Sequence, residues 1–230
     1  MPAKQPILVL SSLALKGVLE KFRPAFEEAL GAPLDLRFDA TQAILARLSQ
    51  GASADLLVLT REAMSELETE NRVVQPQVLG SSGVGLAVRA GARKPDIRSV
   101  DALIQALVSA SSVAHSKVGA SGIYFSQVLQ DLKIEDRLRK RIVVEKGPVG
   151  LVVARGEAEL GVQQLCELAP VPGIDIVGPL PEPLQKLTWF SAGIPATAPN
   201  PQGAAALLEL LRSDSARAAM IESRIQPAAG

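Results

Sequence analysis

The residues of this chain whose types suit chemistry are few, and the clearest stand side by side. Ser11 and Ser12 lie between the apolar run Ile7 to Leu10 and the start of a helical pattern. Hydroxyls at such a seam suit two tasks. They cap a helix, whose first N–H groups have no partner within it, or they join the positive end of the aligned peptide dipoles in holding an anion. The single histidine, His115, lies near the end of a short strand pattern, one position before Ser116 and close to the loop SGIY at 121–124. Its imidazole titrates near neutral pH. It therefore suits an ordinary structural role or, facing a cleft, carboxylate binding or acid–base work. One cysteine, Cys166, excludes an internal disulfide and a cysteine-based zinc cluster, and its apolar setting reads as that of a small buried hydrophobe. Arg89 and Lys94 read as solvated charges flanking a loop, and Trp189 and Phe190 as core or hinge aromatics. No GxGxxG, Walker or HExxH pattern is present, and no GxSxG elbow supports a serine–histidine–acid triad.

The elements that must position these residues alternate along the chain. Ile7 to Leu10 reads as a buried parallel strand, because its apolar residues run on without alternating. Val18, Phe22, Phe26 and Leu30 recur every four residues, predicting a helix over 13–30 that ends at Gly31. Strands over 34–38 and 54–60 and helices over 41–50 and 61–71 repeat the unit, which implies a parallel sheet covered on both faces. Further strands are expected over 83–91, 112–116, 142–147, 159–165, 174–178 and 187–194. Helices are expected over 101–110, from Ile123 through Leu132, over 148–158 and over 202–213. The class is α/β. Two sets of strand–helix units without a long linker suggest two lobes, with the chain crossing near 80–84 and 168–174. Lobe I is then discontinuous (1–82 and 174–230), lobe II is 83–173, and a ligand cleft lies between them. A single doubly wound domain is the alternative.

Composition sets the outer limits. A chain of 230 residues, 47% hydrophobic, buries a good core as one large domain or two small ones. Zero formal net charge gives no general attraction to nucleic acid or to anionic membranes. The longest apolar runs fall far short of a membrane span, so no membrane insertion is expected. Only MPAKQP precedes the first strand, which leaves no room for a secretory leader. With Met1 as the natural start, a cytoplasmic location is expected; with a leader removed, a periplasmic one.

Longer stretches carry a resemblance. SSL (11–13), FDATQAILARLSQGASADLLVLT (38–60), SGIY (121–124), ARGEAELGV (154–162) and LTWFSAGIPATAPNPQGAAALLELL (187–211) together resemble the molybdate-type solute-binding proteins of ABC importers. VRAGARKPDI, KGPVG and VQQLCELAPVPG look like a leaderless subgroup. The resemblance implies a two-lobed type II periplasmic-binding-protein fold, each lobe a mixed, mainly parallel sheet flanked by helices. It also implies a small anionic ligand, an oxyanion or a di- or tricarboxylate, held by hydroxyls and helix N-termini; no cofactor and no metal are expected, as one histidine leaves little room for a histidine-rich metal site. An ABC permease is the implied partner only of an exported protein.

Carried over by position, Ser12 with Ser11 beside it matches the family's first hydroxyl, and Thr41 the second. Ser121 matches a backbone N–H contact from the second lobe, with Gly122 permitting close approach to ligand. Lys146, Gly147 and Pro148 fall near a fourth contact. Gln163 and Gln164 depart from the family, which often places a tyrosine hydroxyl at Gln164. An amide, both donor and acceptor, fits a carboxylate at least as well as a tetrahedral metal oxyanion. The resemblance extends to isomerases of unsaturated tricarboxylic acids of the aconitate-isomerase kind, where His115 is the nominee for the base. Anion binding is thus the first reading and an allylic proton shift the alternative.

Overall fold

The computed structural model describes residues 5–229, so the expectation resting on Met1 lies outside the described residues. The chain divides into two compact units, one formed by 1–81 with 189–230 and the other by 82–188.

In the first unit, β1 (Ile7–Ser12) pairs in parallel with β2 (Leu34–Asp39) on one side and β3 (Leu56–Thr60) on the other. A 3-10 turn (Leu13–Leu15) leads into α1 (Lys16–Leu30), and Gly31 closes that helix at φ 59°, the left-handed cap its sequence position calls for. α2 (Thr41–Ser49) and α3 (Arg61–Thr69) follow β2 and β3 directly. The crossovers are the expected ones, because parallel neighbours cannot be joined by a tight turn. Leu10, Ile44, Leu57, Leu59 and Met64 are buried together between sheet and helices. Each such side chain contributes roughly 1.5–3 kcal/mol.

β4 (Val73–Arg89) then begins, and its Gly80 and Ser81 pair antiparallel with the short β10 (Gln226–Pro227). β9 (Leu187–Pro195) returns antiparallel against β3, followed by α8 (Pro201–Arg212) and α9 (Asp214–Glu222). Asp55 ties this unit together. Its carboxylate is buried and accepts from Leu8 N at 2.8 Å and from Asn200 N at 2.7 Å.

The second unit has strand order β8-β4-β7-β5-β6. It comprises the rest of β4, β5 (Val113–Ser116), β6 (Arg141–Val144), β7 (Leu160–Gln164) and β8 (Ile174–Pro179). β6, β5 and β7 are parallel, whereas β4 runs antiparallel to both β7 and β8. The helices are α4 (Val100–Ser109), α5 (Ala120–Asp131), α6 (Val149–Ala154) and α7 (Leu165–Leu168). Both faces of β5 are covered. Val113 packs with Leu103, Phe125 and Leu129, and Ala114 with Val149 and Val153. That explains why its sequence does not alternate.

The second unit does not end at 173. Residues 174–188 belong to it, because β8 comes back to pair with β4 from Gly85 to Arg89. The turn PVPG therefore reverses the chain within the unit instead of leaving it.

Candidate functional site

The carboxyl ends of parallel strands gather the candidate groups in each unit. In the first unit, Ser12 ends β1 opposite Asp39 of β2, two positions before Thr41. Ser12 precedes the 3-10 turn but makes no capping bond. Its Oγ is buried without a partner, on a residue only 4% exposed. Capping does not account for it. Ser11 Oγ donates to the Ser12 carbonyl at 2.9 Å and is already satisfied. Thr41 is the first residue of α2 and not its cap, and its Oγ1 accepts from Thr60 N at 3.4 Å. A further buried hydroxyl without a partner belongs to Ser81 on β4. Sequence reading missed it, because the stretch before residue 83 looked like the crossing between lobes.

In the second unit, β6, β5 and β7 end together. His115 and Ser116 of β5 stand beside Val143 and Val144 of β6, and His115 beside Val162 of β7. His115 is 1% exposed. Its Nδ1 lies 3.0 Å from the Ser116 carbonyl, which can only accept, so the Nδ1 proton is fixed there and the neutral ring keeps its lone pair on Nε2. Nε2 has no partner. Burial pushes the imidazole below its ordinary value and the charge of Arg141 pushes the same way, while the Ser116 and Gly122 carbonyls oppose them. The ring meets Phe125 edge-on, with centroids 5.6 Å apart. Ser121, in the first turn of α5, has a buried Oγ with no partner.

Other candidates are occupied by the fold itself. A side chain on Gly122 would place its Cβ 1.9 Å from the Ser116 carbonyl oxygen, so the close approach that needs glycine is that of α5 to β5. Gln163 Oε1 accepts from Val149 N at 2.9 Å, filling the start of α6 near the expected fourth contact, and its Nε2 donates to Glu167. Lys146 is exposed, Gly147 turns at φ 87°, and Pro148 precedes α6. The Gln164 carboxamide satisfies both ends at home. It accepts from Thr188 Oγ1 at 2.6 Å and donates to the Ser82 and Gly83 carbonyls at 2.9 and 3.0 Å. Glu167, which sequence reading passed over, has its carboxyl pushed up to about 7 by burial, against the pull of the Gln163 hydrogen bond. Cys166 is buried, its thiol pushed well up by desolvation. Among the described residues, no cluster of three or more His, Cys, Asp or Glu side chains could hold a metal ion, and no helix is long and apolar enough to cross a membrane.

What this arrangement offers is neutral. The first unit presents a buried hydroxyl, Ser12, at the carboxyl end of β1, and the second an imidazole acceptor, His115, at the carboxyl end of β5 with the Ser121 hydroxyl in the helix that follows; α/β folds place their ligands at such ends.

Known proteins share this framework. The chain is 40% identical, over 98% of its length and 90% of the relative's, to an aconitate isomerase of a Pseudomonas species. It superposes on the periplasmic molybdate-binding protein of Azotobacter vinelandii with a TM-score of 0.77 at 17% identity, covering 95% of this chain and 98% of that one. The sulfate-binding protein of Mycobacterium tuberculosis gives 0.74 at 16% identity, covering 98% and 88%. These likenesses show the type II periplasmic-binding-protein fold. The family model described as bacterial extracellular solute-binding protein matches residues 7–223. With its two α/β units and this match along nearly its whole length, the chain belongs to the family of bacterial extracellular solute-binding proteins.

Proposed function

We propose that the protein binds a small polycarboxylate anion and interconverts cis- and trans-aconitate. The observation that carries this reading is the 40% identity with an aconitate isomerase across 98% of the chain. The buried, partnerless His115 Nε2 supports it, because an allylic proton shift needs a base that is neutral and free to accept.

In this reading His115 takes a proton from the methylene carbon of the bound acid. The C–H electron pair becomes the new carbon–carbon double bond, and the old π pair takes a proton at the far carbon. Nothing is oxidised or reduced, and the proton is conserved. Ser121, in the same unit as His115, donates a hydrogen bond to a carboxylate, and that stabilisation grows as negative charge spreads onto it in the transition state.

Proton NMR of the purified protein with each isomer in deuterated water tests this. The expected result is interconversion with deuterium entering at the shifted carbon, slowed about a hundredfold or more in His115→Gln. No interconversion of either isomer refutes it. Capture of the anion without turnover is the second reading, favoured by the Ser12 and Ser121 hydroxyls, which serve binding without any base.

A further inference from the structure

Two polar atoms near the start of α5 are buried without partners, and they differ in kind. Ser121 Oγ can donate. His115 Nε2 cannot while the ring is neutral, because the Ser116 carbonyl at 3.0 Å holds the proton on Nδ1. We infer that His115 sets specificity as an acceptor: the ligand must present a hydrogen, on oxygen or on carbon, to Nε2. Fully deprotonated tetrahedral oxyanions such as sulfate and molybdate are therefore rejected. This rests on the proposed binding of an anion at the carboxyl end of β5.

The physical basis is the cost of facing two lone pairs in a buried place. A sulfate oxygen set against Nε2 would gain no hydrogen bond and would leave both acceptors desolvated. A second proton on the ring would rescue it, but burial and the charge of Arg141 oppose one, outweighing the Ser116 and Gly122 carbonyls that favour it. Phe125 from α5 and Val162 from β7 are uncharged neighbours, and the charge felt from β6 is that of Arg141, itself positive. A methylene or a protonated carboxyl beside a carboxylate offers the two kinds of partner these atoms lack, a hydrogen for Nε2 and an oxygen for Ser121. The same placement presents a C–H bond to a base, so selectivity and proton abstraction share one nitrogen.

Calorimetry with sulfate, molybdate and tricarballylate, a saturated tricarboxylate that cannot isomerise, tests the inference. At pH about 8 the wild-type protein is expected to bind tricarballylate and to bind sulfate and molybdate about 10- to 100-fold more weakly. In His115→Gln the amide offers a donor where the lone pair was. Affinity for sulfate is then expected to rise about tenfold while that for tricarballylate falls. Damage to the fold would not produce such a gain.

The wild-type protein supplies a measurement that needs no variant. Sulfate stays dianionic down to pH about 5, so its affinity is expected to rise on acidification as the ring accepts a proton. Equal affinity for sulfate and tricarballylate at pH about 8, or an unchanged ratio in His115→Gln, overturns the inference and leaves the anion-binding reading standing. Failure of every anion to bind overturns both. Selectivity without isomerisation supports the inference and removes only the proposed turnover.

Discussion

Glu167 offers the most direct check on how the second unit is wired. Its carboxyl receives the Gln163 amide, whose other end accepts from Val149 N at the start of α6. Burial holds this carboxyl at about 7, against 4.5 for a free glutamate. Between those two values the folded protein keeps a proton that the unfolded chain has released. Folding therefore takes up a proton in that window, and stability falls as pH rises from about 4.5 to about 7, then levels off. At about 1.36 kcal/mol per pH unit the whole interval is worth roughly 3 kcal/mol, and partial exposure of the residue brings the expectation nearer 2.

His115 works the other way. Its lowered value makes stability rise with pH up to about 6.5, so the raw profile mixes the two. The difference between wild type and Glu167→Gln removes that overlap along with every other titrating group. Urea unfolding at steps between pH 4.5 and 8 is expected to show the variant matching wild type in acid and exceeding it by about 2 kcal/mol above pH 7. A gap that stays constant across the range would refute the buried, proton-linked carboxyl.

Two further substitutions follow from the geometry. Gly122→Ala forces its Cβ against the Ser116 carbonyl, and since that obstacle is backbone, a loss of roughly 1–3 kcal/mol or more in thermal unfolding is expected. Ser12→Ala deletes a buried hydroxyl that has no hydrogen-bond partner within the fold. Stability is therefore expected to hold while calorimetric affinity for a polycarboxylate drops by about 1–3 kcal/mol.

The central parallel strands β1 and β3 were legible because burial on both faces writes continuous apolar runs, as in LLVL of β3, whereas β2 at the sheet edge alternates as LDLRFD. Gly31 marked the end of α1 for the conformational reason that made it readable. The first half of β4 was not legible. Residues 80–84 read as a crossing between lobes, yet Gly80 lies inside the strand and is what lets β10 approach, since a Cβ there would lie 2.5 Å from Gln226 O. α9 was missed because Ser213 alone separates it from α8. The same hydroxyl donates to Leu210 O at 2.6 Å and accepts from Ala216 N at 3.3 Å, joining two helices that look like one tail.

At the site, the seam at Ser12 was readable from local pattern. The occupations of Gln163 and Gln164 were not, because their partners at Val149, Ser82, Gly83 and Thr188 are brought to them only by folding. Several residues that carry the family resemblance build the framework. Asp55 clamps β1 to the start of α8, and Gly161 leaves room for Val153 of α6 on β7.

The discontinuity of the first unit orders events during synthesis. Residues 82–188 are complete once they have left the ribosome, whereas β3 still lacks its antiparallel neighbour β9 until the last segment emerges. The middle of the chain can thus reach its final form while the beginning waits for the end. A chain that has emerged only as far as residue 188 holds one finished body and one open edge, the side of β3 that β9 later covers.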